Sequence, residues 1–226
     1  GAVTPIGVGV PAYWDSLVRG VCGIGEIAQI DTSSLPIHRA AEVREFHPKD
    51  FMPTRLVLDM EPYAQYAYAA AQEAMAQAGL SGSDRVGIVM GTALHGVGIL
   101  GRTQAHLDLD GKTAEPKLLT KCMGNVAACQ FSILHHITGP SMTVSTACSS
   151  GGDAVTLASL LLNGGMADAV VVMAGEAAIT PTLIQCLDKI KALSPTGDSR
   201  PFDLARNGFV LGEGGGALIL EREETA

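Results

Sequence analysis

Short apolar runs bounded by glycine alternate along this chain with longer stretches rich in alanine and leucine. The runs are VGIVMG at Val86–Gly91, MTVST at Met142–Thr146, AVVVMAG at Ala169–Gly175 and ALIL at Ala217–Leu220. They are β-branched and continuous rather than alternating, which predicts strands buried on both faces. Helices are predicted between them. Glu61–Ala78 is Ala-rich, has Pro62 at an early helical position and stops at Gly79, the N-terminal Pro and C-terminal Gly asymmetry of a helix. Leu118–Ile137 and Ser149–Asn163 are helical by composition and length, and Thr182–Leu193 follows Pro181. Strands alternating with helices predict an α/β fold built on a mostly parallel sheet. The small residues at Ala67–Ala71 and Ala74–Ala78 predict closely packed layers. No repeat, low-complexity tract or linker divides residues 1–226, so one domain is expected. The first nine residues read as the turn after a strand that does not precede them. Glu221–Ala226 is a charged stub after an apolar run. Both ends therefore suggest part of a longer protein.

Composition narrows the classes. Hydrophobic residues make up 47% of the 226 and charged residues 17%, which excludes a disordered chain or a coiled coil. Aromatics are only 4% while glycines number 27, so the core is expected to be small and aliphatic. The net charge of −8 argues against a nucleic-acid partner, whose phosphates call for Lys and Arg. No apolar run approaches the ~20 residues that span a bilayer, and no leader opens the sequence. A cytoplasmic, non-membrane protein is expected. The 5 cysteines are scattered, with no CxxC pair and no zinc spacing. Cys122 and Cys129, seven apart on the predicted Leu118–Ile137 helix, are expected to be core residues.

The strongest chemical signal is Val144-Ser-Thr-Ala-Cys148-Ser-Ser-Gly-Gly. A strand runs into a turn of small residues and a helix opens at once, as in a nucleophile elbow. A helix start favours the thiolate of Cys148, and its free N–H groups suit an oxyanion formed on a thioester. The competing reading is a structural cysteine buried at a strand end. Gly96-Val-Gly98-Ile-Leu-Gly101 fits GxGxxG in letters, but Thr92–His95 separate it from the preceding strand, so a dinucleotide site is not expected. Gly212–Ala217 precedes a strand and fails the same test.

Gly139-Pro-Ser-Met-Thr-Val-Ser-Thr-Ala-Cys-Ser-Ser-Gly151 resembles the active-site signature of the β-ketoacyl-acyl carrier protein synthases. Ser199-Arg-Pro-Phe-Asp203, Gly208-Phe-Val-Leu-Gly-Glu-Gly214, Ala178-Ile-Thr-Pro181 and Ala192-Leu-Ser194 resemble further landmarks in the family's order. Gly1–Gly7 is similar to the turn after its first strand. The resemblance implies the N-terminal half of a thiolase-like fold, without the first strand and the C-terminal half. The second-half histidine and lysine motifs are not in this sequence, and none of its 6 histidines stands in such a context. Asn207 stands where the family usually has Asp, keeping size and hydrogen bonding without the charge. Glu213 keeps the family's acid.

The resemblance implies a condensing enzyme of fatty acid or polyketide biosynthesis with Cys148 as its nucleophile. Cys148 would take an acyl chain from acyl carrier protein, and the enolate from malonyl-carrier protein would then attack it, helped by histidines of the other half. The fragment alone is expected to be inactive in condensation. No cofactor and no metal are implied. Leu100 is expected to wall the acyl pocket. Lys191 and Arg206, with Lys189 and Arg55 nearby in character, are candidates for docking the acidic carrier. A homodimer or a ketosynthase heterodimer is implied, paired through the strand before Cys148 and Lys121–Ile137. The alternatives are the ketosynthase subunit of a type II aromatic polyketide system, a non-catalytic dimer partner of the same fold, or a thiol hydrolase needing an in-chain His.

Overall fold

The computed structural model describes residues 1–111 and 113–224; the last two residues of the charged stub lie outside it. The strands are β1 (Ala2–Thr4), β2 (Gly7–Val8), β3 (Gly25–Glu26), β4 (Arg39–Ala40), β5 (Val86–Gly91), β6 (Ser141–Val144), β7 (Ala169–Glu176) and β8 (Gly214–Glu221). The helices are α1 (Val10–Val18), α2 (Thr54–Asp59), α3 (Pro62–Ala78), α4 (Val97–Asp110), α5 (Leu118–Cys122), α6 (Val126–His135), α7 (Ser150–Asn163) and α8 (Pro181–Lys189). Six strands form one sheet in the order β2-β1-β8-β7-β5-β6, and β3 pairs with β4 apart from it. β6, β5 and β7 are parallel, with Val86 opposite Ala169 and Gly91 opposite Ala174, whereas β8 is antiparallel to β7, β1 to β8 and β2 to β1, so the sheet is mixed rather than mostly parallel.

The continuous apolar runs have the expected cause: both faces of the central strands are covered. Ile88, Met90, Val171 and Met173 face a cluster built by α3 and α6, while Val89, Val170 and Val172 face Ala154, Ala158, Leu161 and Leu162 of α7. α3 is buried on nearly every side, from Tyr63 to Met75. Its backbone lies against the sheet where the strands carry glycine. A Cβ at Gly175 would stand 2.1 Å from the Tyr63 carbonyl oxygen, and one at Gly215 would stand 2.5 Å from the Tyr66 carbonyl carbon. Any side chain there would push the layers apart. The helix ends where the sequence says, at Gly79 with φ 62°.

Four expectations change. Residues 118–137 are two helices, not one, because Met123 is extended and Gly124 packs its backbone on the His95 ring. Cys122 and Cys129 therefore share no helix face, and Cys129 is exposed rather than in the core. Gly96–Gly101, where the pattern predicts no helix, caps and opens α4. Residues read as a turn following a strand contain a strand themselves: Val3 of β1 is buried between β2 and β8, and the Gly1 nitrogen donates to the Ala217 carbonyl at 2.9 Å. A three-residue strand is too short for a periodic signal. No helix among the described residues is long and apolar enough to cross a membrane.

Candidate active site

β6 leaves the sheet at Val144, the chain turns over Ser145–Ser149, and α7 opens at Ser150. The turn is tight because Ala147 takes φ 54°, the left-handed region that L-residues rarely enter. Hydrogen bonds from the helix start hold it there. The Ser150 hydroxyl donates to the Ala147 carbonyl at 2.7 Å and accepts from the Thr146 amide at 3.0 Å. The Ser149 hydroxyl donates to the Thr146 carbonyl and to Asp153, each at 2.9 Å, and the Thr146 hydroxyl also donates to Asp153. Those two hydroxyls hold the Asp153 carboxyl below the usual carboxylate range. The helix start is pressed on the sheet: a Cβ at Gly91 would lie 2.5 Å from the Ser150 carbonyl oxygen.

This geometry presents Cys148 as a free, exposed thiol, not a buried structural one. It opens on a cavity of about 580 Å³ lined by Gly91, Ala174–Glu176 and Gly214–Gly216, and walled by Leu94, Leu183, Leu187, Phe209 and Leu211. The cavity lies at the carboxyl ends of parallel β5, β6 and β7, where open α/β sheets bind ligands. Its walls are apolar side chains and glycine backbone, suited to a hydrocarbon chain. The one carboxylate in the lining is Glu176, half-buried and pushed up by that burial, although the Ala93 and Leu94 amides pull the other way.

Leu100 does not line this cavity. It sits on α4 with 53% of its surface exposed, and Leu94, in the loop before that helix, takes the wall position. Lys191 and Arg206 are both exposed. The backbone brings their neighbourhoods together: the Phe209 amide donates to the Ala192 carbonyl at 3.0 Å, and the Ser194 amide to the Phe209 carbonyl at 2.9 Å. Both cations thus flank the bridge that carries Phe209 to the cavity. Arg55 pairs instead with Asp59, at 3.9 Å. Asn207 turns its amide inward. Its Oδ1 accepts from the Ser194 hydroxyl at 2.8 Å and its Nδ2 donates to Thr196 Oγ1 at 3.1 Å. Only a neutral amide supplies a donor and an acceptor to that pair of hydroxyls. Glu213 is buried away from the cavity, accepting from the Val43 amide at 2.8 Å. No cluster of three or more metal-ligating side chains occurs among the described residues.

Sequence reasoning missed Leu94, Glu176, Leu183 and Leu187 as site residues. They come from three segments that only the sheet topology brings together, and no local spacing marks them.

Comparison with known proteins follows the same lines. The family described as Beta-ketoacyl synthase, N-terminal domain, matches residues 1–226. The chain is 34% identical over its whole length to the 3-oxoacyl-[acyl-carrier-protein] synthase 2 of Synechocystis, and 36% identical to a putative polyketide beta-ketoacyl synthase 1 of Streptomyces halstedii. It spans 57% of the length of each. Among solved structures, the ishigamide ketosynthase/chain length factor superposes with a TM-score of 0.88 at 28% identity, covering 100% of this chain and 57% of that one. A type II polyketide synthase acyl-carrier protein in complex with its ketosynthase gives 0.80 at 26%, covering 99% and 57%.

Proposed function

Because the chain belongs to the beta-ketoacyl synthase family through that family's N-terminal domain, we propose that Cys148 is the acyl-accepting nucleophile of a condensing enzyme of fatty acid or polyketide biosynthesis. The observation that carries this reading is the exposed thiol on a left-handed turn, at the opening of α7, facing an apolar cavity of about 580 Å³.

The chemistry follows from that placement. The Cys148 thiolate attacks the carbonyl of an acyl-carrier thioester, and its own backbone N–H stabilises the tetrahedral oxyanion, since the Ser149 and Ser150 amides already donate to the Thr146 and Ala147 carbonyls. Its collapse expels the carrier thiol, which takes a proton, and leaves the acyl group on Cys148. Malonyl-carrier protein then loses CO₂. Its enolate carbon attacks the Cys148 thioester, forming the new C–C bond and returning the cysteine thiolate. Residues outside this sequence, the family's second-half histidines, steady the enolate. The acyl tail lies along Leu94, Leu183 and Leu187.

Lys191 and Arg206 form the docking spot for an acidic carrier protein at the rim carrying Phe209. Pairing with a second subunit, identical or related, uses β6, the exposed edge of the sheet, whose unpaired backbone groups invite another strand. The similar solved structures, an acyl-carrier protein in complex with its ketosynthase and a ketosynthase/chain length factor, support both partners. A cytoplasmic location fits this role.

Condensation assays on the full-length protein test the reading. Wild type is expected to convert acyl- and malonyl-carrier thioesters to the β-ketoacyl product, and Cys148→Ala to form none. The 226-residue chain alone is expected not to condense. Product from the Cys148→Ala variant would overturn the assignment.

A further inference from the structure

The loop between β5 and α4 takes backbone hydrogen bonds at its two ends, and the Leu94 carbonyl accepts from the Val97 amide at 3.2 Å. The Thr92 amide donates to the Val144 carbonyl at 3.2 Å, and the Gly96 amide reaches the Cys122 carbonyl at 3.5 Å. Between them, the amides of Ala93 and Leu94 find their acceptor in one side chain. Oε2 of Glu176, the last residue of β7, accepts from Ala93 at 2.8 Å and from Leu94 at 3.3 Å, and Oε1 lies 3.4 Å from Leu94. Glu176 is half-buried at the cavity wall, with the His95 imidazole nearby. Burying part of a carboxylate is costly, and the two backbone donors to its oxygens make it an anchor that a side chain too short to reach them does not match.

The anchored residues are wall residues. Ala93 and Leu94 line the cavity that Cys148 faces, and so does Glu176 itself. We propose that Glu176 is a positioning residue that fixes the Ala93–Leu94 wall and thereby sets which acyl chains the cavity admits. This rests on the acyl-accepting role argued above. Glu176 takes no proton from the reacting atoms and forms no bond to them; it acts through the position of the Leu94 side chain. A released loop would let Leu94 fall into the space a long chain needs, while leaving the elbow, held by Ser149, Ser150 and Asp153, unchanged.

Two measurements on the full-length protein test this. The first compares the rates at which hexanoyl and dodecanoyl N-acetylcysteamine thioesters acylate Cys148, with iodoacetamide as a small reagent that needs no cavity. In Glu176→Ala the dodecanoyl-to-hexanoyl rate ratio is expected to fall about tenfold, with alkylation by iodoacetamide near the wild-type rate and the ratio recovered in Glu176→Gln, which retains one acceptor oxygen. An unchanged ratio in Glu176→Ala, or an equal fall for all three reagents, overturns the proposal. The second is hydrogen exchange at the Ala93 and Leu94 amides, expected to quicken in Glu176→Ala and to stay slow in Glu176→Gln. Unchanged exchange in Glu176→Ala overturns the anchor whatever the acylation rates. A wild type that accepts neither acyl group overturns the acyl-accepting reading and the chain-selection claim together, whereas an altered ratio without altered exchange removes the anchor alone.

Discussion

At the scale of single residues, the site depends on Ala147 holding a backbone conformation it does not prefer. A left-handed L-residue costs about 1–2 kcal/mol, and here the Ser150 hydroxyl and the Thr146 amide lock it from both sides. Ala147→Gly is therefore expected to leave stability within about 1 kcal/mol of wild type, because the relief of the Cβ clash offsets the added chain entropy. Ala147→Val, β-branched at positive φ, is expected to lower it by roughly 2 kcal/mol or more. Urea denaturation of both variants reads the difference; equal stabilities would mean the turn is not held as described. The elbow is legible in the sequence because strand, small residues, cysteine and helix start all fall within one short stretch. Leu94 is not, because its role depends on a cavity assembled from distant segments. Leu100 looks equivalent in the letters, but α4 begins three residues earlier and turns it to solvent.

Among the elements, the central strands are legible because burial on both faces leaves a continuous apolar run. The break between α5 and α6 is not, since it comes from Gly124 meeting the His95 ring, a contact between distant segments. The starts of β5 and β7 and the end of β8 are clamped by an ion cluster that sequence pattern does not reveal. Arg85 donates to Asp168 at 2.8 and 3.0 Å, and Arg222 at 2.6 Å. The two guanidiniums hold the Asp168 carboxyl down from the ordinary 3.8 to about 2. In the window between these values the unfolded chain binds a proton that the folded one does not, so stability rises with pH there. The contribution is complete above the unfolded value and is lost as pH falls through the window to about 2. Asp168→Asn is expected to lower the melting temperature modestly at neutral pH, as for an exposed pair, and to flatten this part of the acid limb. A mutant whose acid limb parallels wild type would show that the clamp does not contribute.

For the whole molecule, exposed apolar side chains near the β6 edge match the proposed pairing of subunits. Ile133 is 69% exposed, Leu134 44% and Met142 37%. Sedimentation of the full-length protein is expected to give a dimer, and Ile133→Lys to shift it toward monomer; an unchanged dimer would move the interface elsewhere. The central claim is acyl acceptance by one sulfur, and the chain offers internal controls because Cys22, Cys129 and Cys186 are also exposed and free. Peptide-mapping mass spectrometry after incubation with an acyl-carrier thioester tests it most directly. One acyl group per chain is expected, on the Cys148 peptide and absent in Cys148→Ala. An acyl group spread over the other cysteines, or none while iodoacetamide still labels Cys148, would contradict it.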